Sequence, residues 1–145
     1  MVNYPASERR LTNLSLARIL VVGDDPASRL TLQTILDASG YHVRTAASSW
    51  EAVALLEGDE WDLVLTDLEM ESPEAGFKVI AHANLMDYRP ATAIVTTFGN
   101  PEGRPSSESM LVEMQDIPGL LSNVTNLLAR RVNRRMEREL AHLPD

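Results

Sequence analysis

The chain has no cysteine, which excludes disulfides and thiolate metal sites. It has one lysine, Lys78, so any chemistry that needs a lysine amine must use that residue. No apolar run approaches the roughly 20 residues of a membrane-spanning helix. Met1 to Leu16 mixes Glu8, Arg9 and Arg10 with polar residues and lacks the apolar segment of a signal peptide. There is no internal repeat. His42, His82 and His142 are scattered, with no spacing typical of a metal site or a nucleophile–base pair, and read as exposed structural residues. Trp50 and Trp61 read as packing residues. A cytoplasmic location is the expectation.

What is present suits one domain: 145 residues, 44% hydrophobic and 23% charged. The net charge of −8 is unevenly placed. Residues 17–129 hold 17 Asp/Glu against six Lys/Arg, while residues 130–145 hold five Arg against three acids. The acidic body opposes nucleic-acid binding. The expected organisation is a loosely ordered leader over 1–16, a domain over 17–129, and an arginine-rich continuation of the last helix over 130–145.

Trp61-Asp62-Leu63-Val64-Leu65-Thr66-Asp67 is a short apolar run between turn formers, as expected of a strand buried on both faces of a parallel sheet. It ends on the carboxylate of Asp67, and ligands gather at the carboxyl ends of such strands. Arg18 to Val22 is another buried strand, broken at Gly23-Asp24-Asp25-Pro26. Pro26 opens a helix that carries Leu32, Ile35 and Leu36 and ends at Gly40. Tyr41 to Thr45 follows as a strand. Ser48 and Glu51 form a capping box for the next helix, which turns Ala52, Leu55 and Leu56 inward.

After the central strand, a helix over about Phe77 to Met86 is expected to bury Phe77, Ile80 and Leu85. Thr92 to Thr97 is a fourth strand. Phe98 to Ser109 reads as loop, Met110 to Met114 as a fifth strand, and Ile117 to about Leu140 as a long last helix. Alternating strands and helices give a parallel sheet wrapped by helices.

These residues, in this order from about Arg18 to Ala129, resemble the receiver domain of two-component response regulators. The resemblance rests on Ile19-Leu20-Val21-Val22 followed by acids and Pro26-x-x-Arg29, on Gly40-Tyr41-x-Val43, and on Asp62 to Met70. Gly76-Phe77-x-Val79-Ile80, Ile94-Val95-Thr96 and the Leu120-Leu121…Leu127-Leu128 helix complete it. It implies an α/β, flavodoxin-like, doubly wound five-stranded parallel sheet in the order 2-1-3-4-5, here with the fourth helix replaced by a loop and the last helix extended.

The resemblance also implies a site. Asp67 takes the place of the phosphoacceptor. Mg²⁺ would be held by Asp24, Asp67 and the backbone carbonyl of Glu69, and Thr96 takes the place of the phosphoryl-binding hydroxyl. Three positions depart from the family: Gly23 replaces the first acid, Met110 the aromatic switch, and Glu113 the lysine of the fifth strand. With Lys78 on the third helix, no lysine remains for that role.

Two readings follow from the resemblance. One is a stand-alone, divergent receiver, phosphorylated by a histidine kinase or phosphotransfer protein and acting on a downstream protein. The other is a pseudo-receiver, an interaction or dimerisation module independent of phosphorylation. A homodimer through the last helix or the output face fits either. A third reading, a metal-dependent phosphatase with Asp67 as nucleophile, lacks a second general acid, so an enzyme is not expected.

Overall fold

The computed structural model of the 145-residue chain describes residues 17–67, 70, 72, 74–96, 110–113 and 117–141, with the backbone alone at 96, 110–113, 135, 138, 139 and 141. The elements are β1 (Arg18–Val22), α1 (Pro26–Ala38), β2 (His42–Ala46), α2 (Ser49–Gly58), β3 (Leu63–Asp67), α3 (Ala75–Asn84), β4 (Ala91–Thr96), β5 (Met110–Glu113) and α4 (Ile117–Ala141). The strands form one parallel sheet in the order β2-β1-β3-β4-β5. The expected leader over 1–16 and the expected loop over 98–109 lie outside the described residues.

The alternation of side chains along a strand sorts the core into two layers. Ile19, Val21, Leu63, Leu65, Ala93 and Val95 pack on one face of the sheet, against Leu32 and Leu36 of α1 and Leu120, Val124, Leu127 and Leu128 of α4. Leu20, Val22 and Val64 turn to the other face, against Ala52 and Leu56 of α2 and Ala75, Val79 and Ala83 of α3. Both faces of the central strands are therefore covered, which is why their sequences are continuous apolar runs.

The helix ends follow local chemistry. Asp25 caps α1, its carboxylate accepting from the Ser28 amide at 3.3 Å and the Ser28 hydroxyl at 2.7 Å. Those bonds from Ser28 hold its carboxyl below the usual range. Gly40, at φ 96°, follows the C-cap Ser39 in the left-handed region open to glycine. Ser48 accepts from the Glu51 amide at 3.1 Å, while the Glu51 carboxylate accepts from Ala47, one residue further out than a reciprocal box would place it.

The start of α3 and the expected burial of Phe77, Leu85 and Trp50 are corrected. α3 begins at Ala75, two residues early, and buries Ala75, Gly76, Val79, Ile80 and Ala83, leaving Phe77 52% exposed on the opposite side. Leu85 lies past the helix end and is 75% exposed. Trp50, in the first turn of α2, faces away from the buried Ala52 and Leu56 and is 83% exposed, whereas Trp61 is buried as expected. His42 is exposed, and His82 lies half-buried with Nε2 3.1 Å from a Glu57 carboxylate oxygen.

Arg131 ties α4 to the entrance of the sheet. Its guanidinium donates to Asp62 at 2.8 Å, to the Tyr88 carbonyl at 2.8 Å and to the Arg89 carbonyl at 3.1 Å. Not every tail arginine is therefore a solvated charge.

In the same region the Tyr88 hydroxyl donates to the Leu56 carbonyl at 2.8 Å. Burial, reinforced by the charges of Glu60 and Asp59, pushes the phenol up to about 12 from its ordinary 10.0. The fold thus holds the neutral form, and the stability this contributes is complete below pH 10 and lost as the pH rises toward about 12. Thermal melts across that window should show a fall that Tyr88→Phe flattens.

Candidate functional site

The site is built at the carboxyl ends of the two central strands. Val22 on β1 pairs with Thr66 on β3, so the residues after them, Gly23 and Asp67, stand side by side. Gly23 is held from the other side by its amide bond to the Ala46 carbonyl at 3.0 Å. A Cβ on Gly23 would lie 3.4 Å from Asp67 Cβ and 3.6 Å from Asp67 Oδ2, so the acid that this position lacks would have faced Asp67 directly. Asp24 follows, exposed, while Asp25 turns away into the cap of α1.

The remaining strands complete the rim. Asp67 pairs with Val95 on β4, and the next residue, Thr96, pairs with Glu113 at the end of β5. Glu113 is thus the last residue of β5, with its backbone beside that of Thr96. Met110 sits lower, opposite Ala93. The side-chain orientations of Thr96, Met110 and Glu113, and the whole of Glu69, lie outside the described residues.

α3 approaches closely from below Asp67. A Cβ on Gly76 would lie 3.1 Å from the Asp67 carbonyl oxygen and 3.4 Å from Thr66 Oγ1, tighter than ordinary contact on the first of these. Small residues at Ala75 and Gly76 let the start of α3 seat there.

A cation also borders the site. Arg29, on the first turns of α1, donates from Nη1 to the Gly23 carbonyl at 2.6 Å, and its Cγ lies 3.7 Å from the place a Gly23 Cβ would take. The sequence motif contained Arg29 but gave it no role in the site.

The family's metal can be tested against these donors. Among the described residues no group of three or more His, Asp or Glu could hold a metal ion. Asp24 and Asp67, at neighbouring strand ends, carry hard oxygen donors of the chemistry Mg²⁺ prefers, and Gly23 leaves the pair one acid short of the family's set. The cleft of about 330 Å³ lined by Tyr88, Arg89, Pro90, Arg131 and Arg134 lies at the other end of the sheet, where β4 begins, and is separate from Asp67.

The model of the response regulator receiver domain matches residues 19–127. The chain belongs to the receiver-domain family of response regulators. Receivers with the same fold include the chemotaxis protein CheY4 of Vibrio cholerae, which is 23% identical, with a TM-score of 0.66, 77% of this chain covered and 98% of that one. The response regulator TrrA of Thermotoga maritima, solved in complex with Mg²⁺-BeF, is 27% identical, with a TM-score of 0.67, 77% of this chain covered and 99% of that one.

Among curated relatives, the two-component response regulator ARR11 of Arabidopsis thaliana is 37% identical over 70 residues, 47% of this chain and 13% of that protein. This receiver thus spans about an eighth of that relative's length. Among the described residues no helix is long and apolar enough to cross a membrane.

Proposed function

We propose that this receiver takes a phosphoryl group onto Asp67 and signals by protein–protein contact. The observation that carries the reading is the placement of Asp67 at the end of the central strand, beside Gly23 and one residue from the Asp24 carboxylate along the neighbouring strand end. An Asp67 carboxylate oxygen attacks the phosphorus of a phosphohistidine on a kinase or phosphotransfer protein. The new P–O bond makes an acyl phosphate. The P–N bond breaks, and the imidazole nitrogen keeps the electron pair and takes a proton.

Bound Mg²⁺ supplies positive charge against the charge that gathers on the phosphoryl oxygens. Asp24, Asp67 and the Glu69 carbonyl are the residues proposed to hold it. The Thr96 hydroxyl is proposed to bind a phosphoryl oxygen and to report the change to the output surface. A downstream protein is the proposed recipient, with a homodimer through the last helix or output face as a further assembly.

The test is direct. Incubation with Mg²⁺ and acetyl phosphate should add one phosphoryl group to the intact mass, and chelating the ion should slow it. No mass gain from the small donor, and none from a kinase either, would overturn the reading.

Two residues favour a second reading. Gly23 removes an acid, and Glu113 ends β5 beside Thr96 where the family resemblance expects a lysine. A pseudo-receiver of that kind would bind its partner equally well with Asp67 changed to asparagine.

A further inference from the structure

We infer that Arg29 replaces the missing lysine, swinging through the space left open at Gly23 to bind the phosphoryl group on Asp67. The inference rests on Asp67 being the acceptor. It names a cation for the role the family gives to a lysine, because Lys78 is the only lysine and is exposed on α3.

The geometry permits the movement. The point where a Gly23 Cβ would stand is 3.6 Å from Asp67 Oδ2 and 3.7 Å from Arg29 Cγ. The two atoms are therefore no further apart than those distances together. An arginine has four bonds beyond Cγ, each roughly 1.3–1.5 Å, and a charge-assisted hydrogen bond adds about 2.8 Å. That reach spans the gap to Asp67, and a phosphoryl oxygen on Asp67 extends toward it. No side chain at Gly23 stands between them.

The energetics favour it too. In the present state Arg29 hydrogen-bonds a neutral carbonyl, that of Gly23. Exchanging this partner for a phosphoryl dianion adds the attraction of opposite charges to a bond that the guanidinium charge already assists. The planar fork of arginine suits a phosphoryl group, with two parallel bonds available. Asp25 feels the charge of Arg29 only after its own bonds to Ser28, and those bonds hold Asp25 at the cap. Arg29 is therefore not committed to that carboxylate.

Beryllofluoride, as a phosphoryl mimic, titrated into the Mg²⁺-loaded protein by calorimetry, tests this without turnover. Arg29→Gln should bind the mimic about tenfold more weakly, the equivalent of one charge-assisted bond. Arg29→Lys, which keeps the charge but loses the planar fork and one bond of reach, should recover part of that loss, which a merely structural role would not require. Gly23→Ala keeps ordinary contact distances to Asp67 and should fold normally, yet it should weaken the mimic as Arg29→Gln does by closing the path. Circular dichroism and melting checks establish that each variant is folded.

If wild type binds the mimic while Arg29→Gln and Gly23→Ala match it, the role of Arg29 is overturned and Asp67 stands. If wild type takes neither mimic nor phosphoryl group, both fall.

Discussion

An Asp67→Asn variant should take up no phosphoryl group under conditions that modify the wild type fully. The amide oxygen is a poor nucleophile, and the reaction requires a carboxylate oxygen that can attack phosphorus and form an acyl phosphate on the side chain. The change is isosteric, and Asp67 is only half-buried at a strand end. It also lowers the density of negative charge beside Asp24, so the fold should change by less than about 1 kcal/mol. Intact mass followed over time, with a urea melt of the same sample, measures both. Asp24→Asn is the informative companion, because it keeps the nucleophile and removes one proposed metal ligand. It should slow uptake and shift its Mg²⁺ dependence to higher concentration rather than abolish it. Full uptake by Asp67→Asn would move the acceptor to another carboxylate and overturn the assignment.

The fold was largely legible because burial on both faces leaves a plain signature. The runs at Ile19 to Val22 and Leu63 to Leu65 contain nothing but apolar residues, and each is a fully buried strand. The last helix was equally plain: Leu120, Val124, Leu127 and Leu128 recur at helical spacing, and all four are buried. α3 was misjudged for a physical reason. Its inner face uses Ala75, Gly76 and Ala83 beside Val79 and Ile80, and such small residues carry little hydrophobic signal; at Gly76 a Cβ would already lie 3.1 Å from the Asp67 carbonyl oxygen. The conspicuous apolar residues nearby, Phe77 and Leu85, are the exposed ones.

The site was legible only in part. The strand that ends on Asp67 marked that residue by itself, whereas Asp24 and Thr96 entered only through the resemblance to receivers. The relation of Arg29 to Gly23 depends on how α1 folds back over the end of β1, and no periodicity encodes that. The Arg131–Asp62 tie joins residues 69 positions apart. Its signal in the sequence was only an arginine-rich helix end, for which solvation was the simpler reading. Long-range pairs of this kind come from packing, and the sequence gives them no local mark.

Trp61→Ala should cost about 3–5 kcal/mol, the usual range for emptying a large aromatic site in a core. Trp61 is 1% exposed and packs with Leu56, Val64, Val79 and Ala83 under α2 and α3. Its indole N–H donates to the Leu55 carbonyl at 2.9 Å, and Arg18 stacks over its ring at 4.7 Å from the centroid. Arg18 is in turn held by two bonds to Asp59, and those bonds hold the Asp59 carboxyl down to about 2. Removing the indole thus opens a cavity, leaves the Leu55 carbonyl without that donor, and takes away the surface on which the Arg18–Asp59 pair rests. Trp61→Phe separates these effects. It keeps most of the apolar contact and a ring for Arg18, and should cost about 1–2 kcal/mol for the lost hydrogen bond and the smaller volume. Urea unfolding should be followed by circular dichroism, since the remaining Trp50 is exposed and reports little. A domain of this size has a total stability of about 5–15 kcal/mol, so the alanine variant should be marginal at physiological temperature. Because Trp61 lies two residues before the strand that ends on Asp67, that variant should also lose phosphoryl uptake in proportion to its unfolded fraction. An alanine variant within about 1 kcal/mol of wild type would show that the entrance to β3 does not depend on this packing.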